Sequence, residues 1–259
     1  MAANNDSIGR TVTVTLLLCL VCSIIVSAAA VLLKDTQLKN KDLDRKKNIL
    51  AAAKIDYQGK DVDALFNEKI IAKHVDLKTG KYVEKPSGYK DAKRAAKEPS
   101  LSTELTREQD SASIKRTANV MPVYLVNKDD ALEKVILPVH GYGLWSTLYG
   151  FLALENDLNT VVGFGFYSHA ETPGLGGEVD NPKWKALWPG KKIYAEGSME
   201  PKIGLVKGTV VPGAPNAEFK IDALSGATLT SDGVTKLVQF WMGGNGFANF
   251  LTNLKAGES

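Results

Sequence analysis

The chain has 259 residues and a formal net charge of +3, enough length for one large domain or two small ones with a real core. Its lysines and arginines are dispersed without interleaved aromatics, which argues against a nucleic-acid interface. Both cysteines, Cys19 and Cys22, fall in an apolar N-terminal run, so the remainder has no thiol for a disulfide framework or a thiolate metal site; His74, His140 and His169 are too widely spaced for a metal-ligand pattern.

In chain order, Thr11 to Leu33 carries no charge and is rich in Leu, Val, Ile and Ala. As a helix it reaches roughly 34 Å, enough to cross a bilayer core. A cleaved signal sequence is the competing reading, with Ala28-Ala29-Ala30 resembling a cleavage site, but the run is too long for one, and a retained anchor is expected. Only Arg10 precedes it, whereas Lys34, Lys39, Lys41, Arg45, Lys46 and Lys47 follow; counting these charges places the C-terminal side in the cytoplasm. Asp35 to about Tyr57 reads as a helix with a thin apolar stripe of Leu43, Ile49, Leu50 and Ala53, and Asp61 to Phe66 as a second, short helix. Ile70 to Val75, Lys78-Thr79-Gly80 and Lys81 to Val83 read as strand, turn, strand. Lys85 to Asn119 is polar, charged and poor in large apolar residues, a surface excursion or linker that is partly helical.

Strands then dominate. Val120 to Val126 and Lys134 to Val139 flank an Asn-Lys-Asp-Asp turn at 127–130, a hairpin pattern. A glycine-rich aromatic loop, His140 to Trp145, follows. Leu148 to Glu155 and Thr160 to Tyr167 predict two more strands, Lys183 to Trp188 a short helix, and Ile203 to Val206 and Thr209 to Val211 short strands around Lys207-Gly208. Phe219 to Leu224 leads into a turn at Ser225-Gly226-Ala227-Thr228. Thr230-Ser231-Asp232 predicts the next helix start, because Val234, Leu237, Val238 and Trp241 then fall on one helical face. Strands followed by terminal helices predict an α+β fold with an antiparallel sheet.

Two stretches carry chemistry. In Ser225-Gly226-Ala227-Thr228 a hydroxyl is offered on a turn with little bulk around it, just ahead of a helix whose positive end favours a phosphate; four small residues entering a helix are also an ordinary loop. In Ser168 to Gly177, the run Thr172-Pro173-Gly174-Leu175-Gly176 is a stiff turn followed by glycines. Its backbone N–H groups can approach a ligand, with Leu175 against it and with His169 and Glu171 setting charge and hydrogen bonding; the plain alternative is a tight surface turn. Trp145 either fills core or flanks the same ligand. Lys207 is either solvated or lies along the same ligand and favours an anionic form of it. No Ser-His-Asp or Cys-His arrangement lies near Thr228. Gly163-Phe164-Gly165 lacks the third glycine and helix of a dinucleotide site.

Ser225-Gly226-Ala227-Thr228 resembles the flavinylation motif of the FMN-binding domain family, in which a flavin transferase joins FMN to the final threonine through a phosphoester. Glu171-Thr172-Pro173-Gly174-Leu175-Gly176 matches a second segment of that family. The layout, with one N-terminal membrane segment, a long middle region and the threonine motif near the C-terminus, resembles the C-subunit family of the Na+-translocating NADH:quinone oxidoreductases. The resemblance implies FMN held covalently on Thr228, with Ser225, Gly226, Ala227, Trp145, His169, Glu171, Thr172, Gly174, Leu175, Gly176 and Lys207 around it, and neither a metal nor an independent catalytic site in this chain. It implies a relay of single electrons between partner subunits in a sodium-pumping, ubiquinone-reducing complex of six subunits in the bacterial inner membrane. The soluble domain is then periplasmic, opposite to the charge count. The implied division is a tail and transmembrane helix at 1–34, a membrane-proximal helical or linker region at 35–118 packing on the main domain, and the FMN-binding domain at 119–259. The rival readings are the equivalent flavinylated subunit of the ferredoxin:NAD+ oxidoreductase complex, which is usually shorter before the strands, a cofactor-free anchored binding module, and a free-standing flavin reductase.

Overall fold

The computed structural model describes residues 7–129 and 131–258. It divides into two units, one up to Asp44 and one from Arg45 onward.

The first unit is helical. Helix α1 (Ile8–Leu32) carries no charge beyond Arg10, is predominantly apolar and buries none of its residues, and it begins three residues before the predicted Thr11 because the Ser7 hydroxyl accepts from the Arg10 amide. Among the described residues it is the one helix long and apolar enough to cross a membrane. Helix α2 (Lys34–Ala52) starts after a turn at Leu33. It ends sooner than the expected Tyr57: Lys54 takes a left-handed φ of 56° and the Ile55 amide returns to the Leu50 carbonyl.

In the second unit, helix α3 (Val62–Lys69) is capped by Asp61, whose carboxylate accepts the amides of Asp63 and Ala64. Strands β1 (Ile71–Asp76) and β2 (Lys81–Val83) follow as predicted. The stretch 85–119 is more structured than its polarity implies. It forms helix α4 (Ala92–Ala95) and strands β3 (Ser102–Glu104) and β4 (Arg116–Ala118), which pair with each other, and it contributes Tyr89, Ala95, Ala112 and Ala118 to the core. Strands β5 (Val120–Lys128), β6 (Ala131–Tyr142), β7 (Thr147–Glu155) and β8 (Val161–Ser168) complete the main sheet. Its order is β2-β1-β5-β6-β7-β8, antiparallel throughout. Sheet pairing therefore joins strands on both sides of residue 119. The predicted turn at 127–130 ends on Asp130, which lies outside the described residues.

Helix α5 (Pro182–Lys185) is entered through Asn181, whose side chain caps Lys183. Strand β9 (Gly204–Val206) pairs with β10 (Lys220–Asp222), and this pair is parallel, an addition to the predicted antiparallel sheet. The strand expected at Thr209–Val211 does not form: the Val210 amide donates to the Asp222 carboxylate at 2.8 Å, which takes this segment away from any ladder. Helices α6 (Thr228–Met242) and α7 (Ala248–Ala256) close the chain.

The strict alternation of β6 explains the layering. Val135, Leu137 and Val139 join the core formed with Val234, Leu237, Val238 and Trp241 of α6. Ile136, between them, pairs with Tyr124 and Ala153 on the other face, where Phe66 meets Tyr124 edge-on and the backbone of Ala52 lies against Gly163. Gly141 and Gly233 let α6 sit directly on β6: a Cβ on Gly233 would lie 2.5 Å from the Tyr142 carbonyl oxygen.

Candidate functional site

The site is built where β10 runs into α6. The Ala223 amide donates to the Val206 carbonyl at 2.9 Å, extending the parallel ladder by one bond. Leu224 is buried, and its amide donates to the Ser231 hydroxyl at 3.0 Å, which itself donates to the Ala227 carbonyl. Between these two anchors Ser225 and Gly226 are exposed, and Gly226 adopts φ 72°, where a side chain is strained.

Helix α6 starts at Thr228, two residues before the Thr230-Ser231-Asp232 start expected from the sequence. The reason is that Thr230 and Ser231 use their hydroxyls inward. Ser231 holds the turn, and Thr230, fully buried, donates to Glu171 Oε2 at 2.7 Å. Ala227 occupies the capping position and offers no side-chain acceptor, so the first-turn amides keep no side-chain cap. The exposed Thr228 thus stands at the positive end of a long helix with uncapped amides beside it, a fit for a phosphate ester.

The second motif adjoins the first. A Cβ placed on Gly226 would lie 3.1 Å from Leu175 Cδ2, so the Leu175 side chain rests on the turn that presents Thr228. Leu175 is 45% exposed. Its loop is closed by the Thr172 carbonyl, which accepts the amides of Leu175 and Gly177, and Gly174, at φ 75°, has open space around it.

Glu171 is buried, only 5% exposed, and its carboxylate is fully engaged. It accepts the amides of Leu144 at 3.2 Å, Trp145 at 3.0 Å and Ser146 at 3.3 Å, together with the Thr230 hydroxyl. Burial pushes its pKa up, but the Thr230 hydroxyl and the Trp145, Leu144 and Ser146 amides outweigh it, so the carboxyl is held below its ordinary value. The amides belong to the turn between β6 and β7, which carries Trp145 out to solvent at 64% exposure. Trp145 therefore fills no core.

His169 serves its own loop. Its Nδ1 accepts the Glu171 amide at 3.2 Å, so Nε2 carries the proton and donates to Asp180 at 2.8 Å, while Asp180 also meets Lys185 at 3.2 Å. Lys207 is exposed immediately after β9, not between two strands, and the bond from Ala223 to Val206 places its backbone beside the start of the Ser225 turn. Asp222 shapes this region twice, through its carboxylate on Val210 and through its carbonyl, which accepts Trp184 Nε1 at 3.0 Å.

The structure thus gathers Thr228, Ser225, Gly226, Ala227 and Leu175 directly and joins Trp145 to them through Glu171. Sequence reasoning missed Thr230, Ser231 and Ser146, whose hydroxyl accepts the Ala170 amide at 2.7 Å. The available signal was a pair of hydroxyl residues opening an otherwise apolar helix face. A cavity of about 740 Å³, lined in part by Asn159, Tyr194, Phe219 and Leu251, shares no residue with this constellation.

An exposed threonine on an uncapped helix start is edged by an apolar side chain from a Thr-Pro-Gly-Leu-Gly loop, and both lie in a domain of the flavin-binding class. The family model of the FMN-binding domain matches residues 143–243, which include both motifs. Over its length the chain is 54% identical to the C subunit of the Na(+)-translocating NADH-quinone reductase of Pseudomonas aeruginosa, covering 99% of this chain and 100% of that one. It is 50% identical to the corresponding C subunit of Vibrio vulnificus, covering 98% of each. The crystal structure of Shewanella oneidensis NqrC superposes with a TM-score of 0.77 at 36% identity, covering 84% of this chain and 99% of that one. The C-subunit structure from Parabacteroides distasonis gives 0.64 at 30% identity, covering 85% and 97%. The chain belongs to the NqrC family, the C subunits of the Na+-translocating NADH-quinone reductases.

Proposed function

We propose that this chain carries FMN as a phosphoester on Thr228 and relays single electrons through it. Family membership makes the chain a flavoprotein subunit of the Na+-translocating NADH:quinone reductase, a translocase to which it brings no catalytic site of its own. The observation that carries the covalent reading is the exposed Thr228 at the uncapped start of α6, on a turn with Gly226 in the left-handed region. The flavin supplies the redox chemistry; the protein places it and sets its surroundings. Thr228 tethers the phosphate, and Leu175 and Trp145 supply apolar surface at the ring. Lys207 offers a cation beside the turn, Ser225, Gly226 and Ala227 leave room, and Thr172, Gly174 and Gly176 form the facing loop. His169 and Glu171 act from behind that loop. Attachment needs no general base in this chain when a separate flavin transferase activates the hydroxyl.

On the same reading α1 is a single membrane anchor in the bacterial inner membrane, within 1–34. Residues 35–118 buttress the flavin-bearing part, 119–259, which lies on the periplasmic side of a complex of six subunits. The exposed, apolar, 25-residue α1 supports the anchor, and the buried Tyr89, Ala95 and Ala118 support the buttress. A reporter fused to the C-terminus tests the orientation: periplasmic phosphatase activity is expected, and fluorescence from a cytoplasm-only folder would contradict it.

Mass spectrometry of the peptide spanning Thr228, from protein made in its own host, tests the central claim. The peptide should gain the mass of FMN less water. Thr228→Val, near isosteric, should keep the fold and lose in-gel flavin fluorescence under denaturing conditions. A bare Thr228 in the wild type, or fluorescence that persists in the variant, would overturn the covalent reading.

A further inference from the structure

We propose that Glu171 is a positioning residue, not a flavin ligand: its carboxylate locks together the three separate segments that shape the cofactor cradle. The proposal rests on the reading that Thr228 bears the flavin.

The three segments are the turn 143–146, the loop 169–177 and the first turn of α6. Each brings one element of the cradle, namely Trp145, Leu175 and Thr228. No strand ladder joins the three at these positions; the Ser146 hydroxyl bonds the turn to the loop at Ala170, and the carboxylate is the group that reaches all three. Three successive amides, of Leu144, Trp145 and Ser146, converge on it, an anion nest occupied by the protein's own side chain. The fourth donor is the Thr230 hydroxyl at 2.7 Å. Residues two apart in a helix point to nearly opposite sides. Thr230 turned inward onto Glu171 therefore accompanies Thr228 turned outward, and the clamp fixes the rotation of the helix that aims the tether.

The glycines around the carboxylate agree with this role. A Cβ on Gly143 would lie 2.7 Å from Glu171 Oε1, and one on Gly176 would lie 2.8 Å from Oε2 and 2.5 Å from the Thr230 hydroxyl. Both segments approach the anion as closely as backbone can. A buried carboxylate is a poor way to gain stability alone, because desolvation offsets much of what its partners return. What the arrangement does supply is fixed geometry across three chain segments, the requirement for a cofactor site whose parts come from distant stretches of chain.

The test uses the full-length, flavin-loaded chain with Glu171→Gln, Thr230→Val and Thr230→Ser. In Gln the oxygen takes the Oε1 place and receives the three amides as a weaker, uncharged acceptor, while the NH2 faces the Thr230 hydroxyl in place of the charged Oε2. Hydrogen exchange at Leu144, Trp145 and Ser146 should accelerate by about tenfold or more in Glu171→Gln, with core amides such as Val135 unchanged. The visible circular-dichroism bands of the flavin, which report its fixed asymmetric surroundings, should shift and weaken in Glu171→Gln and Thr230→Val and be restored in Thr230→Ser. If Glu171→Gln fails to fold, the Thr230 pair decides, since Val and Ser differ there by the hydroxyl that donates to the carboxylate. Unchanged flavin bands in Thr230→Val, or bands displaced equally in Thr230→Ser, would overturn the clamp. Wild-type protein that carries no flavin would instead overturn the covalent reading, a result the mass of the Thr228 peptide identifies separately.

Discussion

Gly226 shows how far a single backbone angle decides the site. Its φ of 72° lies where an L side chain is strained, and a Cβ there would press on Leu175 at 3.1 Å. Gly226→Ala should cost about 1–2 kcal/mol from the left-handed conformation alone, lower the thermal midpoint and slow flavin attachment by tilting Thr228. Gly244→Ala, in open space, is the control. Equal midpoints and equal attachment in the two variants would show that the turn does not need its glycine. The neighbouring hydroxyls mislead for a related reason. Thr230 and Ser231 have the composition of a helix cap, but a cap and an inward hydroxyl look alike in sequence. Only the position of Glu171, 59 residues earlier, separates them.

At the scale of elements, α6 is pressed against β6 so closely that Gly233 meets the Tyr142 carbonyl. Helix propensity alone would make Gly233→Ala stabilising by about 1 kcal/mol. Here overpacking against backbone, which has no flexible end to move aside, costs about 1–3 kcal/mol and should win. Denaturant midpoints measure the balance, and a more stable variant would mean that α6 can lift without penalty. Much of this architecture is legible in the sequence. The apolar runs of β5 to β8, the apolar face of α6 and the short helix at Asp61 to Phe66 are local patterns, and they form close to where the sequence places them. What is not legible depends on distant partners. The stretch 85–119 has the look of a solvated linker because its buried residues, such as Ala95 and Ala118, are small and scattered. The parallel pairing of β9 and β10 joins segments separated by a whole connection. The two motifs, Glu171 included, are visible by residue type, while the bond from Thr230 that joins them through that carboxylate becomes visible only in the fold.

For the molecule as a whole, the response to acid follows from His140 and Glu171. His140 stacks on Tyr149 with centroids 5.4 Å apart and tilts against Trp241 at 4.8 Å. Burial first, and the Lys93 charge second, lower its pKa from 6.5 to about 4. The unfolded chain therefore takes a proton at His140 in a range where the folded chain refuses it. Stability is present above pH 6.5 and is lost as pH falls through that window toward about 4, by at most about 1.4 kcal/mol per pH unit. Glu171, held below its ordinary 4.5, keeps its contribution above about pH 4.5 and loses it as pH falls from there. His140→Gln should flatten the decline between about pH 6.5 and 4, read from denaturant midpoints; parallel curves for variant and wild type would remove His140 as the cause. The β9–β10 pair has a separate consequence. Two strands running the same way release their chain ends at the same rim, so the backbone of Lys207 and the start of the Ser225 turn arrive side by side however long the intervening excursion from Gly208 to Phe219 becomes. That excursion is free to lengthen, shorten or change its chemistry, and the junction of Val206 with Ala223 stays in place.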